Sequence, residues 1–470
     1  MNQKTDFEKI SLVHMIGIKG VGMTALAACL KDLGIKITGS DIAQEFITDQ
    51  TLKKMGFSWW ENFSAQHIKN QELIIATGSG HQGPNNPEAQ AGLKKGIPYL
   101  THGQALGELM RKKIGISVCG VGGKTTTSAI VATLMKEANL KPSFAIGAAE
   151  IFPLGLPGHF EKEGQFFIAE ADEYVTAKNF NHQPRFDWQN PKIVVCTNIE
   201  HDHPDVYPDL ASTKKAFKNF FEKIPNDGVL IINGDNQNNQ KVIKNLDKKI
   251  LTYGENDNSN YQIKEVSLSQ GKTSFSLQYN KQKLGPFTLR VPGRHNVFNA
   301  AAAIIVLRNL GVDLKKIKKA LPNFTGTKRR FEFLGKIDKK EIWDDYAHHP
   351  KQIKATLSAA KKWFGKKPIT VLFQSHTFTR TQQLIDGFAK SFDLADQVLV
   401  LPIYDAGRES GDAKKIAQKL TKKIKERQKR VFFVPNEKTA IKKIKKIDQG
   451  IILTMGAGDV WKIGRSLLKK

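Results

Sequence analysis

Apolar residues along this chain come in short runs of strand length, separated by stretches in which they recur at helical spacing, and the alternation continues from one end to the other. Short apolar runs bounded by glycine or polar turns read as strands buried on both faces. With amphipathic helices between them, the pattern predicts α/β domains built on parallel sheets. Leu12 to Ile18 is the first such strand, followed by a glycine turn over Gly17 to Gly22 and a helix over Met23 to Leu33. A second strand, Ile35 to Thr38, ends at Ser40-Asp41, and the pattern closes near Leu109 after the helix-like QALGELM.

Ile114 to Cys119 restarts the alternation, running into GVGGKTTT and a helix over Ser128 to Asn139. Further strands are expected at Phe166 to Ala169, Ile193 to Thr197 and Val229 to Asn233. Leu251 to Arg290 differs: alternating segments such as TSFSLQY between Asn, Gly and Gln turns suggest a β-rich excursion, closed by a helix over Val297 to Leu310. Pro322 to Thr327 looks like a hinge. Beyond Arg329, strand candidates Glu341 to Trp343, Ile369 to Phe373, Val398 to Pro402, Val431 to Val434 and Ile451 to Met455 alternate with helices. The expected division is three α/β domains, at 1–109, 110–324 and 325–470.

Charge changes this picture less than its size suggests. Lys plus Arg number 72 against 45 acids, a net +27, which raises nucleic acid or an anionic membrane as partners. Only 12 of these cations are arginine, however, and groove and phosphate recognition favours arginine's planar fork. The lysine excess reads as solvated surface, and no nucleic-acid partner is expected. Ala413 to Ile447 holds 14 Lys or Arg against two acids, yet Ile416, Leu420, Ile424, Ile441 and Ile444 keep helical spacing, so it reads as solvated faces of packed helices. Cys29, Cys119 and Cys196 lie far apart in apolar stretches without a C-x-x-C, so neither a disulfide framework nor a zinc site follows and a reducing cytoplasm fits. The first residues are too polar for a signal peptide and no long apolar window exists, so an integral membrane protein is not expected.

Two glycine turns carry phosphate chemistry. Gly20-Val-Gly22-Met-Thr-Ala25 fits G-x-G-x-x-G/A between strand and helix, with Asp41 downstream for a ribose hydroxyl. It suits a diphosphate nucleotide of some kind, with a tight turn without ligand as the plainer alternative. Gly120-Val-Gly-Gly123-Lys124-Thr125-Thr126-Thr127 follows a strand and opens a helix. Backbone N–H groups there would cradle ATP phosphates, Lys124 would reach the β/γ oxygens, and Thr125 would hold Mg²⁺. Val118 stands where the longer motif has its first glycine, so the loop is a shortened one.

Carboxylates and imidazoles collect at strand ends, where open α/β sheets bind ligands: Glu170-Ala-Asp172-Glu173 and Asn198-Ile-Glu200-His-Asp202-His203 suit Mg²⁺, with solvated turns as the plainer reading. Gly293-Arg-His295-Asn296-Val-Phe-Asn299 opens a helix and suits simple capping. Arg329-Arg330-Phe331, Asp344-Asp345-Tyr346-Ala-His348-His349-Pro350 and Gln374-Ser-His376-Thr-Phe-Thr-Arg380-Thr381 add a dense polar cluster in the third domain.

In order along nearly the whole chain, HMIGIKGVGMTALA, GSD, NNPE, GVGGKTTT, EADE, TNIEHDH, GRHNVFNA, RRFE, DDYAHHP, SHTFTRT and GAGD resemble the Mur ligases, ATP-dependent amino-acid-adding enzymes of peptidoglycan synthesis. The resemblance implies a Rossmann-like N-terminal UDP-binding domain, a central phosphate-loop ATPase domain, and a Rossmann-like C-terminal domain that closes with the amino acid. The G-I-x-G-x-G-M turn, D-D-Y-x-H-H-P and H-x-x-T-R-T are most similar to the branch that joins L-alanine to the lactyl carboxylate of UDP-N-acetylmuramate through an acyl phosphate. Carried onto matching positions, Gly20, Gly22, Met23, Thr24, Ser40, Asp41 and Ser79 would bind the UDP substrate. Gly120, Gly122, Gly123, Lys124, Thr125, Thr126, Asn296, Asn299, Arg330 and Asp345 would bind ATP, and Thr125, Glu170 and His203 would hold Mg²⁺. Tyr346, His348, His376 and Arg380 would line the amino-acid pocket, with Lys124, His348, His376 and Arg380 catalytic. Val121 and Gly122 stand where the family usually has Thr and His. Lys178 to Asn190 is long for the alanine branch and looks more like the recycling branch, which attaches L-Ala-γ-D-Glu-meso-diaminopimelate; Lys178 and Arg185 could line a groove for its carboxylates. Lys218 has plausible spacing for the carbamylated lysine of some members.

Overall fold

The computed structural model describes residues 5–78, 83–177, 180–203, 205–269, 271–404 and 411–469. The chain divides into two compact units, one comprising Met1–Val266, Phe275–Thr288 and Asn296–Thr325, the other Ser267–Ser274, Leu289–His295 and Gly326–Lys470. Among the described residues no helix is long and apolar enough to cross a membrane.

The first unit contains two larger sheets besides a small two-stranded one, Val175–Ala177 with Asn181–Pro184. Four strands lie in the order Lys36–Ser40, Leu12–Ile16, Leu73–Ala76, Tyr99–Thr101, all parallel. The helix Val21–Asp32 is buried from Met23 to Leu30 on every side, because it packs in one core with Val13 and Ile75 and also with Phe167, Ala169 and Ala145 of the second sheet. That double packing accounts for the all-round small and apolar sequence MTALAACL. The second sheet has ten strands. Its centre runs Val229–Asn233, Ile193–Cys196, Ile114–Cys119, Phe166–Ala171, Ser143–Ala145, all in parallel register. The expected β-rich excursion continues this sheet through Ile250–Gly254, Tyr261–Ser269, Lys272–Tyr279 and Gln282–Leu289.

The second unit holds a six-stranded sheet in the order Glu332–Ile337, Lys339–Asp345, Gln449–Met455, Ile369–Phe373, Gln397–Val400, Val431–Phe433, parallel except for the first pair. Val398 and Val400 face one buried cluster and Leu399 the other, the alternation of a strand covered on both faces.

Several boundaries differ from expectation. The helix expected from Ser128 starts at Lys124, because Gly123 takes a left-handed φ of 88° and turns the chain straight into it. The strand expected to stop at Ala169 runs to Ala171 and so includes Glu170. Glu332–Ile337 is a strand the pattern did not predict; it sits at the sheet edge, half exposed, with a register shift at Gly335. The segment expected as a hinge, Pro322 to Thr327, does contain the division between the two units, after Thr325, and overlaps a 3-10 turn, Leu321–Asn323.

Candidate active site

Three neighbouring parallel strands, Ile193–Cys196, Ile114–Cys119 and Phe166–Ala171, end on one edge of the large sheet and deliver the phosphate loop and the acidic segments together. The loop needs its glycines. Gly120 (φ 118°) would bring a Cβ within 2.3 Å of Thr197 Oγ1, and Gly123 would bring one within 2.6 Å of Asn299 Oδ1. The next strand end shapes the loop: Gly122 N–H donates to Asn198 Oδ1 (2.9 Å), Val121 N–H to Asn198 O (3.1 Å), and Thr197 Oγ1 to Gly122 O (2.6 Å). Thr127 Oγ1 donates to Asn299 Oδ1 (3.2 Å), whose amide donates to Asn296 Oδ1 (3.0 Å). Asn299 therefore packs against the loop's helix, with Asn296 accepting from its amide. Thr125 is buried and Thr126 half-buried in the first turn.

Lys124 points into carboxylates, with Nζ 2.7 Å from Glu173 Oε2 and 3.5 Å from Asp172 Oδ1. Burial alone would lower its pKa; the two carboxylates outweigh burial and hold it well above the ordinary ammonium range. Burial also raises Glu173, whereas the half-buried Asp172 is brought down to about 2 by Lys124, Arg185 and His203 against the effect of desolvation. Arg185 NH1 lies 3.1 Å from Asp172 Oδ2. Glu173 Oε1 is buried with no hydrogen-bond partner among the described residues, and it faces His203 Nε2 at 4.0 Å. Ligand atoms of Glu173, Asp202 and His203 lie within 4.8 Å of one another. His203 adopts a left-handed φ of 58°, strain of the kind that gathers at functional sites.

The metal set expected from the sequence was Thr125, Glu170 and His203. The structure groups His203 with Glu173 and Asp202, and Glu170 Oε1 accepts from Gly147 N–H at 2.7 Å while still adding to the field at Lys124. An orphaned buried carboxylate oxygen beside a second carboxylate and an imidazole fits a hard divalent cation such as Mg²⁺. Lys218 lies on the helix Leu210–Glu222, half-buried and 3.9 Å from Glu222.

The first glycine turn is closed by Asp41, whose Oδ2 accepts from Lys19 N–H (2.8 Å) and Oδ1 from Ile42 N–H (2.9 Å). Met23, Thr24, Ser40 and Asp41 are all buried. Thr24 Oγ1 donates to Ile18 O (3.1 Å) and Ser40 Oγ to Glu88 Oε2 (2.5 Å). Glu88, fully buried, also meets His14 Nε2 (3.2 Å) and His67 Nδ1 (2.6 Å). Burial alone would raise this carboxyl; His14, Ser40 and His67 outweigh it and hold it below its usual range. Gly20 caps the helix, and a Cβ on Gly22 would come within 2.9 Å of His102 Nε2. His102, absent from the sequence reading, is pushed down to about 4 by burial and by Arg185. Ser79 and Lys178 lie outside the described residues.

In the second unit the paired arginines separate. Arg329 is buried, donating to Asp344 Oδ2 (3.0 Å) and Gly456 O (2.5 Å), whereas Arg330 is exposed with its guanidinium 5.3 Å from the Tyr346 ring. Asp345 accepts from Phe331 N–H (2.8 Å) and Ala347 N–H (2.9 Å), and burial raises its pKa. The paired histidines separate too. His349 caps the helix Pro350–Phe364 in a box with Gln352. His348 packs edge-on to Tyr346 (5.1 Å) and 6.4 Å from His376, and burial, then Arg380 and His376, push it down to about 3. His376 lies 5.8 Å from Tyr404, a neighbour the sequence did not suggest.

A glycine loop between a central parallel strand and a helix, its lysine held by carboxylates from the next strand end, defines a phosphate-loop α/β protein. Residues 12–114 match "Mur ligase family, catalytic domain", 118–307 "Mur ligase middle domain" and 329–458 "Mur ligase, glutamate ligase domain". Curated relatives include UDP-N-acetylmuramate–L-alanine ligases of Desulfatibacillum aliphaticivorans (36% identical, covering 98% of this chain and 99% of that one) and Caldanaerobacter subterraneus (35%, 99% and 99%). Solved structures include the UDP-N-acetylmuramate-alanine ligase of Thermotoga maritima (26% identical, TM-score 0.82, 98% of each chain). Another is a murein peptide ligase from Psychrobacter arcticus (25%, 0.73, 97% and 98%). The chain belongs to the Mur ligase family.

Proposed function

We propose that this chain joins L-alanine to the lactyl carboxylate of UDP-N-acetylmuramate, with ATP converted to ADP and phosphate, as a cytoplasmic enzyme of peptidoglycan precursor synthesis. The observation that carries the reading is full-length identity of 35–36% to curated L-alanine ligases. As parts of the same proposal, residues 1–109 hold the UDP substrate, 110–324 hold ATP and 325–470 the amine.

The carboxylate of the sugar attacks the γ-phosphorus, ADP departs, and the amine displaces phosphate from the acyl phosphate. Two anions must approach, and the repulsion is strong in a site of low dielectric. The loop amides, the helix beginning at Lys124 and the Lys124 ammonium offset it, the lysine exchanging its contact with Glu173 and Asp172 for phosphate oxygens. Glu173, Asp202 and His203, with Thr125 and Glu170 nearby in the sequence-derived set, would hold Mg²⁺, which supplies charge neutralisation to the phosphates when bound. Asn299, oriented by Asn296, braces the loop's helix, and by resemblance Arg330 and Asp345 would also bind ATP. Tyr346, His348, His376 and Arg380 would bind the amino acid. With its pKa near 3, His348 stays neutral at working pH and offers a hydrogen bond instead of a charge.

Against the tripeptide acceptor of the recycling branch stands Arg185, whose guanidinium is engaged by Asp172 instead of lining an open groove. The segment around it forms a hairpin, Val175–Ala177 with Asn181–Pro184, and a turn that buries Phe186 completely. The test is phosphate release with UDP-N-acetylmuramate and ATP while the amine is varied. L-Alanine should exceed glycine and L-serine by the modest factor one methyl group allows, roughly 1 to 3 kcal/mol. Release with L-Ala-γ-D-Glu-meso-diaminopimelate but not with L-alanine would transfer the assignment to the recycling reaction.

A further inference from the structure

The 14 Lys or Arg of residues 413–447, set against two acids, have no part in the chemistry above. The fold arranges them. Val431–Phe433 is the last strand of the six-stranded sheet, and the helices on either side of it in sequence, Ala413–Lys425 and Glu437–Lys445, cover opposite faces. The first helix buries Ala417, Leu420 and Ile424 in one core cluster, and the second buries Ala440 and Ile444 in the other. Each helix carries an exposed lysine stripe of the same spacing, Lys415, Lys419 and Lys422 on one and Lys438, Lys442 and Lys445 on the other. Both stripes flank the edge strand, giving that rim of the sheet a strong excess of positive charge.

Two ordinary explanations fall short. Lysines do guard open sheet edges, but these project from helices whose backbone is already bonded internally. A solvated helix face is served best by mixed signs, because like charges at i,i+4 repel and weaken the helix. Here, of the lysines in the stretch, only Lys423 has a carboxylate within 4.0 Å among the described residues. Uncompensated repulsion of this extent is relieved by a densely anionic surface. The kind of cation selects which surface. Twelve of the fourteen are lysine, and Arg427 is engaged by Asp393 at 2.8 Å, so the forks that read bases are scarce, whereas lipid headgroups accept point charges.

We propose that this lysine-striped rim docks the protein on a bilayer rich in anionic phospholipid. Near such a surface each lysine raises the partition coefficient about fivefold, and added salt screens the effect.

The test is co-sedimentation of the full-length protein with phosphatidylcholine vesicles, with and without phosphatidylglycerol, at low and physiological salt. Binding should require the anionic lipid and weaken with salt. Reversing either stripe (Lys415→Glu, Lys419→Glu, Lys422→Glu or Lys438→Glu, Lys442→Glu, Lys445→Glu) should lower it roughly a hundredfold or more. Reversing three scattered exposed lysines (Lys94→Glu, Lys272→Glu, Lys316→Glu) should lower it far less. Thermal unfolding checks that each variant folds, and ligation measured without vesicles should not change. Absence of binding by the unaltered protein, or equal loss in the scattered control, would overturn the proposal. So would tighter binding to double-stranded DNA that is lost in the same stripe variants.

Discussion

Lys124 stabilises buried carboxylates as well as serving catalysis, and Lys124→Met separates the two roles. In the resting protein its ammonium is the partner of Glu173, 1% exposed, and the more distant of two partners of Asp172, 31% exposed. Removing one member of a buried pair typically costs about 3–5 kcal/mol. Two features reduce that figure here. Asp172 keeps Arg185 at 3.1 Å, and Glu173, already raised by burial, can escape its charge by taking up a proton. The expected loss at pH 7 is about 2–3 kcal/mol, or an unfolding midpoint lower by about 5–10 °C. The pH dependence has a definite sign. In the variant the folded state binds a proton at Glu173 that the unfolded chain releases above its ordinary value of 4.5. Stability therefore falls as pH rises above that value, by up to about 1.4 kcal/mol per unit, until the raised folded value is passed. Adding Glu173→Gln should restore most of the stability and flatten the profile, while ligation stays down by about 10² to 10³. Calorimetric unfolding from pH 5 to 8, with phosphate release and UDP-sugar binding measured in parallel, covers all three quantities. A single variant as stable as the unaltered protein at pH 8, or no recovery on adding Glu173→Gln, would refute the charge argument.

His203→Ala, Glu173→Gln and Glu170→Ala should each raise the Mg²⁺ concentration that gives half-maximal activity, with less than additive combinations because the groups act as a unit; a magnesium titration of each variant decides it. Gly123→Ala should cost about 1–3 kcal/mol and abolish ATP binding, since the new methyl meets Asn299 Oδ1 in a left-handed conformation; nucleotide titration and thermal unfolding check it. The two adjacent histidines should separate cleanly: His349→Ala loses about 1 kcal/mol of helix capping with the KM for the amine unchanged, and His348→Ala raises that KM with little change in unfolding temperature.

Some strands buried on both faces were legible to the residue, although Leu73–Ala76, equally buried, was not among those expected. Ile114–Cys119, Val229–Asn233 and Ile369–Phe373 are apolar runs closed by polar turns, and nothing else competes for that pattern. The start of the helix at Lys124 was hidden, since three successive threonines show no helical spacing and the turn that launches them depends on the φ of Gly123. Glu332–Ile337 was hidden because an edge strand needs neither continuous hydrophobicity nor strict alternation. Candidate site residues followed the same division. Loop glycines and Lys124 carry their chemistry locally. The contact of Thr127 with Asn299, 172 residues away, had no local signature, and family resemblance placed Asn299 only among the ATP-binding residues. Asn198 stood inside a quoted motif, yet its side chain serves the shape of another loop, and His102 shows its place only where Gly22 leaves room for it. The acidic tetrads announced a cation site without revealing which oxygens converge, because that depends on which way each side chain leaves its strand end.

Cys196, Cys119 and Ala171 lie side by side in register, so the chain passes from scaffold to chemistry at the same level on three strands. Spacing between the reacting groups is thereby fixed by the ladder itself, at about 4.8 Å per strand. The connections behind that level carry no such constraint. The hairpin and turn between Val175 and Trp188 show the latitude: an extended link occupies it without disturbing the alignment of the strands on either side. An engineer altering acceptor range in this scaffold has therefore been handed a natural partition, in which loop length can be rewritten freely while a single-residue shift in any of the three strands would put the reactive groups out of step.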